Sequence, residues 1–513
     1  MSNVLDDSFD IALLESFLSD LVASGFEPMP GSDRQRWRGP IHSAFECLTT
    51  ALTMDIVIAP GWPFQPPAVL VQGLATNHST LDGLVCLWRE GDDSLRWTTL
   101  EGLCSRIEEW CHQAAQGWQD DALGRDALLN FQDKSPSVAM FDLSNIGVSP
   151  SSWGGFHGVV AAAGTPVMLG PGVAQPGQLR GMWFHVGELD KPPPRHFPEV
   201  LLHLARNERR QLQEQVEKRI QPRPLTVSGG VDLVMFCWER DSRPDLLVMA
   251  LQGLGEDLKA IALQPGPNDQ KSLLLRAGPD ASTLADLRAV IFGAGALGGH
   301  VAVVLSESGL GTLDIIDADV LTPGNVVRHV AGHWAVGAPK ATAVATAVAH
   351  HAPWTKTNAI KELPRTPTEI QKRIEHADIV VDATGDSAFT RSVAQIALTK
   401  RKSLISGALY RGGLVGRVRR QAQTGDTPLE QRLPSGGYPL IPRGQRTDDF
   451  VMPEIGCSAP VNNAPPAVVL AGSSLIAQSV IDVLTGRFEL PNEIIEVYRP
   501  LPHEPPFHRI GRL

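Results

Sequence analysis

Residues 289–302 read AVIFGAGALGGHVA. A β-branched apolar run meets glycines at 293, 295 and 298, and the chain then continues with apolar residues at helical spacing. Gly293, Gly295 and Gly298 in this arrangement permit a tight turn and let phosphate groups approach a helix N-terminus, where free N–H groups favour anions. Asp317 closes the next apolar run, near the interval of about 20 residues at which an acid can meet ribose hydroxyls. This much fits a nicotinamide-dinucleotide enzyme as well as any other nucleotide binder.

Outward from that stretch, strand and helix patterns alternate. Strands are predicted at 288–293, 312–317, 379–383 and 403–407, with helices at 297–308, 338–351 and 389–400. The alternation implies a parallel sheet covered on both faces. Residues 420–453 break it with a Gly-, Pro- and charge-rich loop, a length that is functional or disordered, and a helix over 467–484 closes the region. Asp319, Asn325, Arg328 and Lys340 follow Asp317 in order. A nucleotide triphosphate needs such cations and polar clamps, whereas a dinucleotide does not. After the strand at 379–383, TGDSAFTR offers Asp386 as a magnesium-binding carboxylate.

GAGALG, then IIDADVLTPGNVVRH (315–329), GAPKA (337–341) and VVDATGDSAFTR (380–391) resemble the adenylating domain of the ThiF/MoeB and ubiquitin-activating family. The resemblance runs from about 289 to 484. It implies a Rossmann-like domain that uses ATP and Mg2+ to adenylate the C-terminal carboxylate of a small protein. By position, Asp317 would hold ribose, Asn325, Arg328 and Lys340 the triphosphate, and Asp386 the metal. The family often has Thr-Asp-Asn where this chain has TGDS, and counting forward from Asp382 puts Gly385 at the metal position. The paired CxxC zinc motifs of many relatives are absent.

Six cysteines stand at 47, 86, 104, 111, 237 and 457, with no CxxC pair. A zinc ribbon is excluded, and a disulfide scaffold does not fit. Cys457 lies in MPEIGCSAPVNNAPP (452–466), where related activating enzymes carry a thioester-forming cysteine on a crossover loop; the alternative is a small buried hydrophobe. Cys86 lies in NHSTLDGLVCLWRE (77–90). With PGWPFQPP (60–67) and flanking helices at 11–21 and 100–117, this region resembles the core of ubiquitin-conjugating enzymes over about 10–118. Where that family places an oxyanion-stabilising Asn, this chain has His78, with Asn77 beside it. His78 suits hydrogen bonding to an oxyanion or general-base work, or else a plain loop position. Asp82 reads as a turn former or as a group acting on an incoming lysine. Cys104 and Cys111 share a helix face and read as packing. Cys47 and Cys237 fall in predicted strands and read as buried.

The chain has 513 residues, a net charge of −11 and 20% charged residues, which argues for about three folded domains and against a nucleic-acid-coating surface. The start is acidic without an apolar leader, and no run of eighteen apolar residues is uninterrupted; a soluble, cytoplasmic protein without membrane contact is expected. The expected class is therefore α/β and α+β multidomain. Residues 1–150 form a conjugating-like α+β domain and connector, 151–280 a middle domain without a readable motif, and 281–513 the adenylating domain. In combination they resemble bacterial fused activating–conjugating enzymes of the CBASS anti-phage, ubiquitin-transferase-like type. That resemblance implies a homodimer that passes an acyl group from adenylate to Cys457, to Cys86, and to an acceptor amine. The activated partner would be a cGAS/DncV-like nucleotidyltransferase, or, alternatively, a ubiquitin-like protein. A sulfur-carrier adenylyltransferase and a binding module on a degenerate nucleotide fold are the other readings.

Overall fold

The structure is a computed structural model. It describes residues 8–513 except 33–34, 75, 77, 81, 89–91, 93, 117, 119–126, 162–165, 190–192, 241–242, 433–437, 441–450 and 455–456. The chain forms two compact units, Met1–Asp269 and Gln270–Leu513.

The first unit begins with α1 (Ile11–Ala23). Asp10 caps it by accepting the Leu13 N–H, and Leu14, Phe17, Leu18 and Leu21 make the buried stripe. A meander of β1 (Glu27–Pro28), β2 (Arg36–Pro40), β3 (Thr53–Val57), β4 (Ala68–Leu70) and β5 (Leu84–Val85) forms a five-stranded antiparallel sheet. Then α2 (Leu100–Ala115), capped by Thr99, buries Leu103, Ile107, Trp110 and Cys111. Trp62, Trp97 and Trp110 are fully enclosed in this core. Cys47 departs from its expectation: 43–47 is a 3-10 turn capped by His42, with Phe45 buried and the Cys47 thiol exposed.

After the one-turn α3 (Ala127–Asn130) comes a closed seven-stranded barrel that also contains a one-turn α4 (Leu143–Ile146). Its strands are β6 (Lys134–Phe141), β7 (Ser152–Val160), β8 (Pro166–Pro171), β9 (Leu179–Glu188), β10 (Leu233–Arg240), β11 (Arg243–Gln252) and β12 (Lys259–Pro267), in the order β10-β11-β12-β6-β8-β7-β9. Residue 150, the expected boundary, falls between two of them, because β6 pairs with β8 and β12 and so belongs to the barrel. The charged stretch 198–220, whose pattern reads as a single helix, holds two: α5 (Phe197–His203) and α6 (Arg206–Val216).

In the second unit, α7 (Gln270–Leu273) and α8 (Ala281–Leu284) precede the alternation β13 (Arg288–Phe292), α9 (Ala296–Glu307), β14 (Thr312–Ile316), α10 (Lys340–His351), β15 (Lys356–Ile360), α11 (Pro367–Ile374), β16 (Ile379–Asp382), α12 (Ser387–Thr399) and β17 (Ser403–Tyr410). β18 (Val415–Gln421), a hairpin of β19 (Val451–Glu454) and β20 (Cys457–Asn462), α13 (Pro466–Leu484), β21 (Glu493–Val497) and β22 (Gly511–Arg512) complete it. The main sheet runs β15-β14-β13-β16-β17-β18-β21-β22, parallel through β17 and antiparallel beyond. Its β13 and β16 are neighbours whose crossovers depart in opposite directions, the topological switch point at which α/β sheets bind ligands. By length and composition α13 is apolar enough to cross a membrane, yet Ile476, Ala477 and Val480 are buried in this unit's core.

Candidate functional site

The glycines do three different things. Gly293 adopts φ +91°, and a Cβ there would stand 2.9 Å from the Ala383 backbone. A Cβ at Gly298 would meet the Gly293 carbonyl oxygen at 1.8 Å. Gly295, the N-cap of α9, has no capping side chain, and its would-be Cβ meets nothing within 4 Å. The first and last glycines thus press loop, helix and the neighbouring β16 loop together, while the middle one leaves open the approach to the helix N-terminus. That cradle fits a phosphate.

Asp317 is buried just beyond β14. Its carboxylate accepts the Ala294 N–H at 2.6 Å and the Asp319 N–H at 2.8 Å, so it shapes the glycine loop as well as facing it. Beside it opens a cavity of about 540 Å³ lined by Ala318, Lys361, Arg365, Lys372, Arg373 and two glutamates, a wall richer in cations than in carboxylates. Lys340 donates to Asp319 at 2.8 Å at the start of α10, so a triphosphate would have to draw its ammonium from that pair. The Asn325 Oδ1 accepts the Thr322 N–H at 3.2 Å within a short turn. Arg328 donates to the Asn462 carbonyl, tying the end of the strand that begins at Cys457 to this side of the sheet. The Cys457 side chain lies outside the described residues.

Asp386 caps α12: its Oδ1 accepts the N–H groups of Ala388 at 2.8 Å and Phe389 at 3.2 Å. The group is exposed, and among the described residues no donor reaches its other oxygen, an arrangement that would suit Mg2+ bound by one carboxylate and substrate phosphates. Asp382, by contrast, is buried and saturated by Thr384, Thr390 and Ser406. Of the other positions in that segment, Gly385 has no side-chain ligand, and the Asp382 carboxylate is already engaged by these hydroxyl groups.

His329 is a residue whose role its sequence position did not reveal. Its Nδ1 accepts the Ala331 N–H at 3.0 Å, so Nε2 carries the proton and donates to the Ala294 carbonyl at 2.8 Å. Ala294 is thus held from both ends, by Asp317 and His329. Burial, the largest influence, holds both His329 and His300 below the usual imidazole range of about 6.5. A base with a lowered folded-state pKa contributes stability above its unfolded value, and that stability is lost as pH falls through 6.5 toward the folded value. Acidification from pH 7.5 to 5.5 should therefore weaken the C-terminal unit, and His329→Gln should flatten part of that dependence. Urea titrations at the two pH values measure it; equal slopes for wild type and H329Q would refute the assignment.

In the first unit, the exposed Cys86 follows β5, and its N–H donates to the His78 carbonyl at 2.8 Å. His78 adopts φ +57°, with its ring 4.4 Å from that of Trp118. The structure thus brings the His78 backbone to Cys86 while packing its ring on an indole. Asn77 lies outside the described residues. Asp82 accepts from the Thr80 hydroxyl, which supports the turn role. Burial raises the Cys86 thiol, and the Lys134 ammonium opposes it. Cys111 and Cys237 are enclosed and pushed up to about 12, which suits packing; Cys104 is half-buried.

Residues 271–498 match the model of the ThiF family. The chain is 31% identical over 198 residues to the uncharacterized protein y4oA of Sinorhizobium fredii, covering 35% of this chain and 33% of that protein. It is 26% identical over 225 residues to the ATP-dependent ubiquitin transferase-like protein Cap2 of Enterobacter hormaechei, covering 43% and 36%. It is 29% identical over 129 residues to the probable adenylyltransferase/sulfurtransferase MoeZ of Mycobacterium tuberculosis, covering 25% and 33%. The chain thus spans about a third of the length of the curated relatives it matches. Among solved structures, Escherichia coli MccB with MccA-N7isoASN aligns at 17% identity over 45% of this chain and 66% of that one, with a TM-score of 0.36, too low to carry an assignment.

Proposed function

We propose that this chain, whose C-terminal half carries a ThiF-type domain, activates a protein C-terminus with ATP and passes the acyl group through thiols to an amine. A carboxylate oxygen of the substrate attacks the α-phosphorus of ATP and expels pyrophosphate. A thiolate then attacks the acyl carbon, and AMP leaves with the bonding electrons. Cys457 is the proposed first thiol and Cys86 the second, with attack by a deprotonated amine releasing the Cys86 thiolate. Asp317 would take the ribose, and Arg328, Asn325 and Lys340 the phosphates; Mg2+, held by Asp386, would offset phosphate charge. The observation that carries this reading is the open Gly295 helix N-terminus flanked by Asp317, Lys340 and the half-free carboxylate of Asp386.

The proposed setting is anti-phage defence, with a cGAS/DncV-like nucleotidyltransferase as the activated protein; it rests on the Cap2 likeness and on the joining of a conjugating-like module to an adenylating one. A ubiquitin-like protein is the alternative substrate. The MoeZ likeness favours a second reading, a sulfur-carrier adenylyltransferase, in which Cys86 has no part.

Asp386→Asn separates the two roles of that residue. Asn is as good a helix cap as Asp, so melting should stay near wild type, while pyrophosphate exchange falls at least about tenfold for loss of a charged ligand. Unchanged exchange would remove Asp386 from the metal site. Cys86→Ala should keep pyrophosphate exchange and abolish product ligation; ligation that survives would decide for the sulfur-carrier reading.

A further inference from the structure

The barrel reaches the thiol site. Arg195, just before α5, donates from Nη2 to the Ser79 carbonyl at 2.9 Å. Ser79 neighbours His78, whose carbonyl takes the Cys86 N–H, and Ser79 itself bridges to Val85. Arg195 is fixed at its own end: its N–H donates to Glu199 at 2.7 Å, and its carbonyl accepts the Gln132 N–H at 2.8 Å. Two residues after Gln132, Lys134 opens β6, with its ammonium anchored on the Leu129 carbonyl at 2.5 Å. Its positive charge opposes the desolvation that raises the Cys86 thiol. One corner of the barrel, knotted by the Gln132–Arg195 bond, therefore carries both the arginine that reaches the turn bearing Cys86 and, two residues past Gln132, the Lys134 cation.

We propose that this corner completes the thiol site: Lys134 stabilises negative charge on the Cys86 sulfur, and Arg195 is a positioning residue that holds the turn through the Ser79 carbonyl. The proposal rests on the reading of Cys86 as an acyl carrier. In the transfer to Cys86, its proton leaves to solvent, the thiolate attacks the donor thioester, the new C–S bond forms and the donor departs as a thiolate. Lys134 stays protonated throughout and acts by charge alone. The thiol gains from such help, because the surrounding protein disfavours the thiolate that does the attacking.

The test uses the full chain without any acyl donor. Iodoacetamide alkylation of the Cys86 peptide is followed by mass spectrometry from pH 6.5 to 9.5. Lys134→Gln should slow the reaction at pH 7.5 by about three- to tenfold and move its pH profile upward, and Lys134→Arg should restore it. Arg195→Gln should speed hydrogen exchange at the Val85 and Cys86 amides. A K134Q profile that coincides with wild type, or an equal loss in K134Q and K134R, overturns the electrostatic role; unchanged exchange in R195Q overturns the clamp. Failure of the acyl-carrier reading appears elsewhere, as ligation that survives Cys86→Ala, so the two failures are separable.

Discussion

In the proposed adenylation, Gly298→Ala will cut ATP-dependent pyrophosphate exchange by about 100-fold or more and loosen the C-terminal unit. The methyl group would stand 1.8 Å from the Gly293 carbonyl oxygen and 3.3 Å from the Ala383 Cβ, and neither backbone segment has a flexible side chain to yield. The glycine loop must shift against α9, and a displacement of about 1 Å costs about 100-fold in rate when it misplaces reacting groups. Overpacking of this kind also costs about 1–3 kcal/mol of stability. Gly295→Ala is the control that keeps the two effects apart. Its Cβ would enter open space and its φ of −78° is ordinary, so the variant should melt within about 1 kcal/mol of wild type. Its methyl group would nonetheless occupy the approach to the helix N-terminus, raising the KM for ATP about tenfold, or about 1.4 kcal/mol. Pyrophosphate exchange and thermal melting of both variants decide the matter. Wild-type exchange in G298A would mean that the loop does not pack as described, and wild-type KM in G295A would move the phosphates elsewhere.

The parts legible in the sequence and the parts that were not differ for physical reasons. Strands β13, β14, β16 and β17 declared themselves because buried parallel strands read as short β-branched runs between helical patterns, and ordered polar residues marked the proposed ligand edge; β15 at the sheet margin did not, since its residues are largely exposed. His329 did not, because its work is a backbone hydrogen bond to Ala294 that no spacing rule describes. The barrel did so only in part: the apolar runs at 231–238 and 246–251 read as strands and fall on β10 and β11, but the closed sheet around them did not show. Its strand β7 carries Gly154, Gly155 and Gly158, residues that ordinarily weaken a strand. A Cβ at Gly154 would stand 2.8 Å from the Trp183 ring, and one at Gly158 2.6 Å from Leu233, so two of these glycines make room for large neighbours from other strands. Likewise Leu233–Trp238 is buried without alternation, which hides its register from a reading by period two. Cys47 misled for a simpler reason: Phe45 and Leu48 mimic a strand, while a His42 cap turns the same residues into a 3-10 segment.

Arg219→Met will cost the N-terminal unit about 3–5 kcal/mol, the usual result of stranding one partner of a buried ion pair. Arg219 follows α6, and its side chain is 1% exposed, against 2% for Asp232. The guanidinium donates to the carbonyls of Gln221, Val231 and Leu251, to the Ser228 hydroxyl and to Asp232. Asp232 in turn accepts the N–H groups of Arg180 and Ser228. One fork therefore fastens the segment after α6 to the starts of β9 and β10 and the end of β11. Burial pulls the guanidinium below its usual range and Asp232 pulls the other way, so the pair holds together only as a pair. Arg219→Lys keeps the charge but replaces the planar fork with a point donor. It should recover part of the loss and leave several carbonyls without a donor. Urea unfolding followed by tryptophan emission reads the effect, since of the 11 tryptophans only Trp334 and Trp354 lie in the C-terminal unit. Because the barrel holds Arg195, which reaches the Cys86 turn through the Ser79 carbonyl, the same variant should slow Cys86 alkylation in mild urea before the main transition. Full stability in R219M would show that the barrel closes without its charged node, and loss of stability without any change at Cys86 would uncouple the barrel from the thiol.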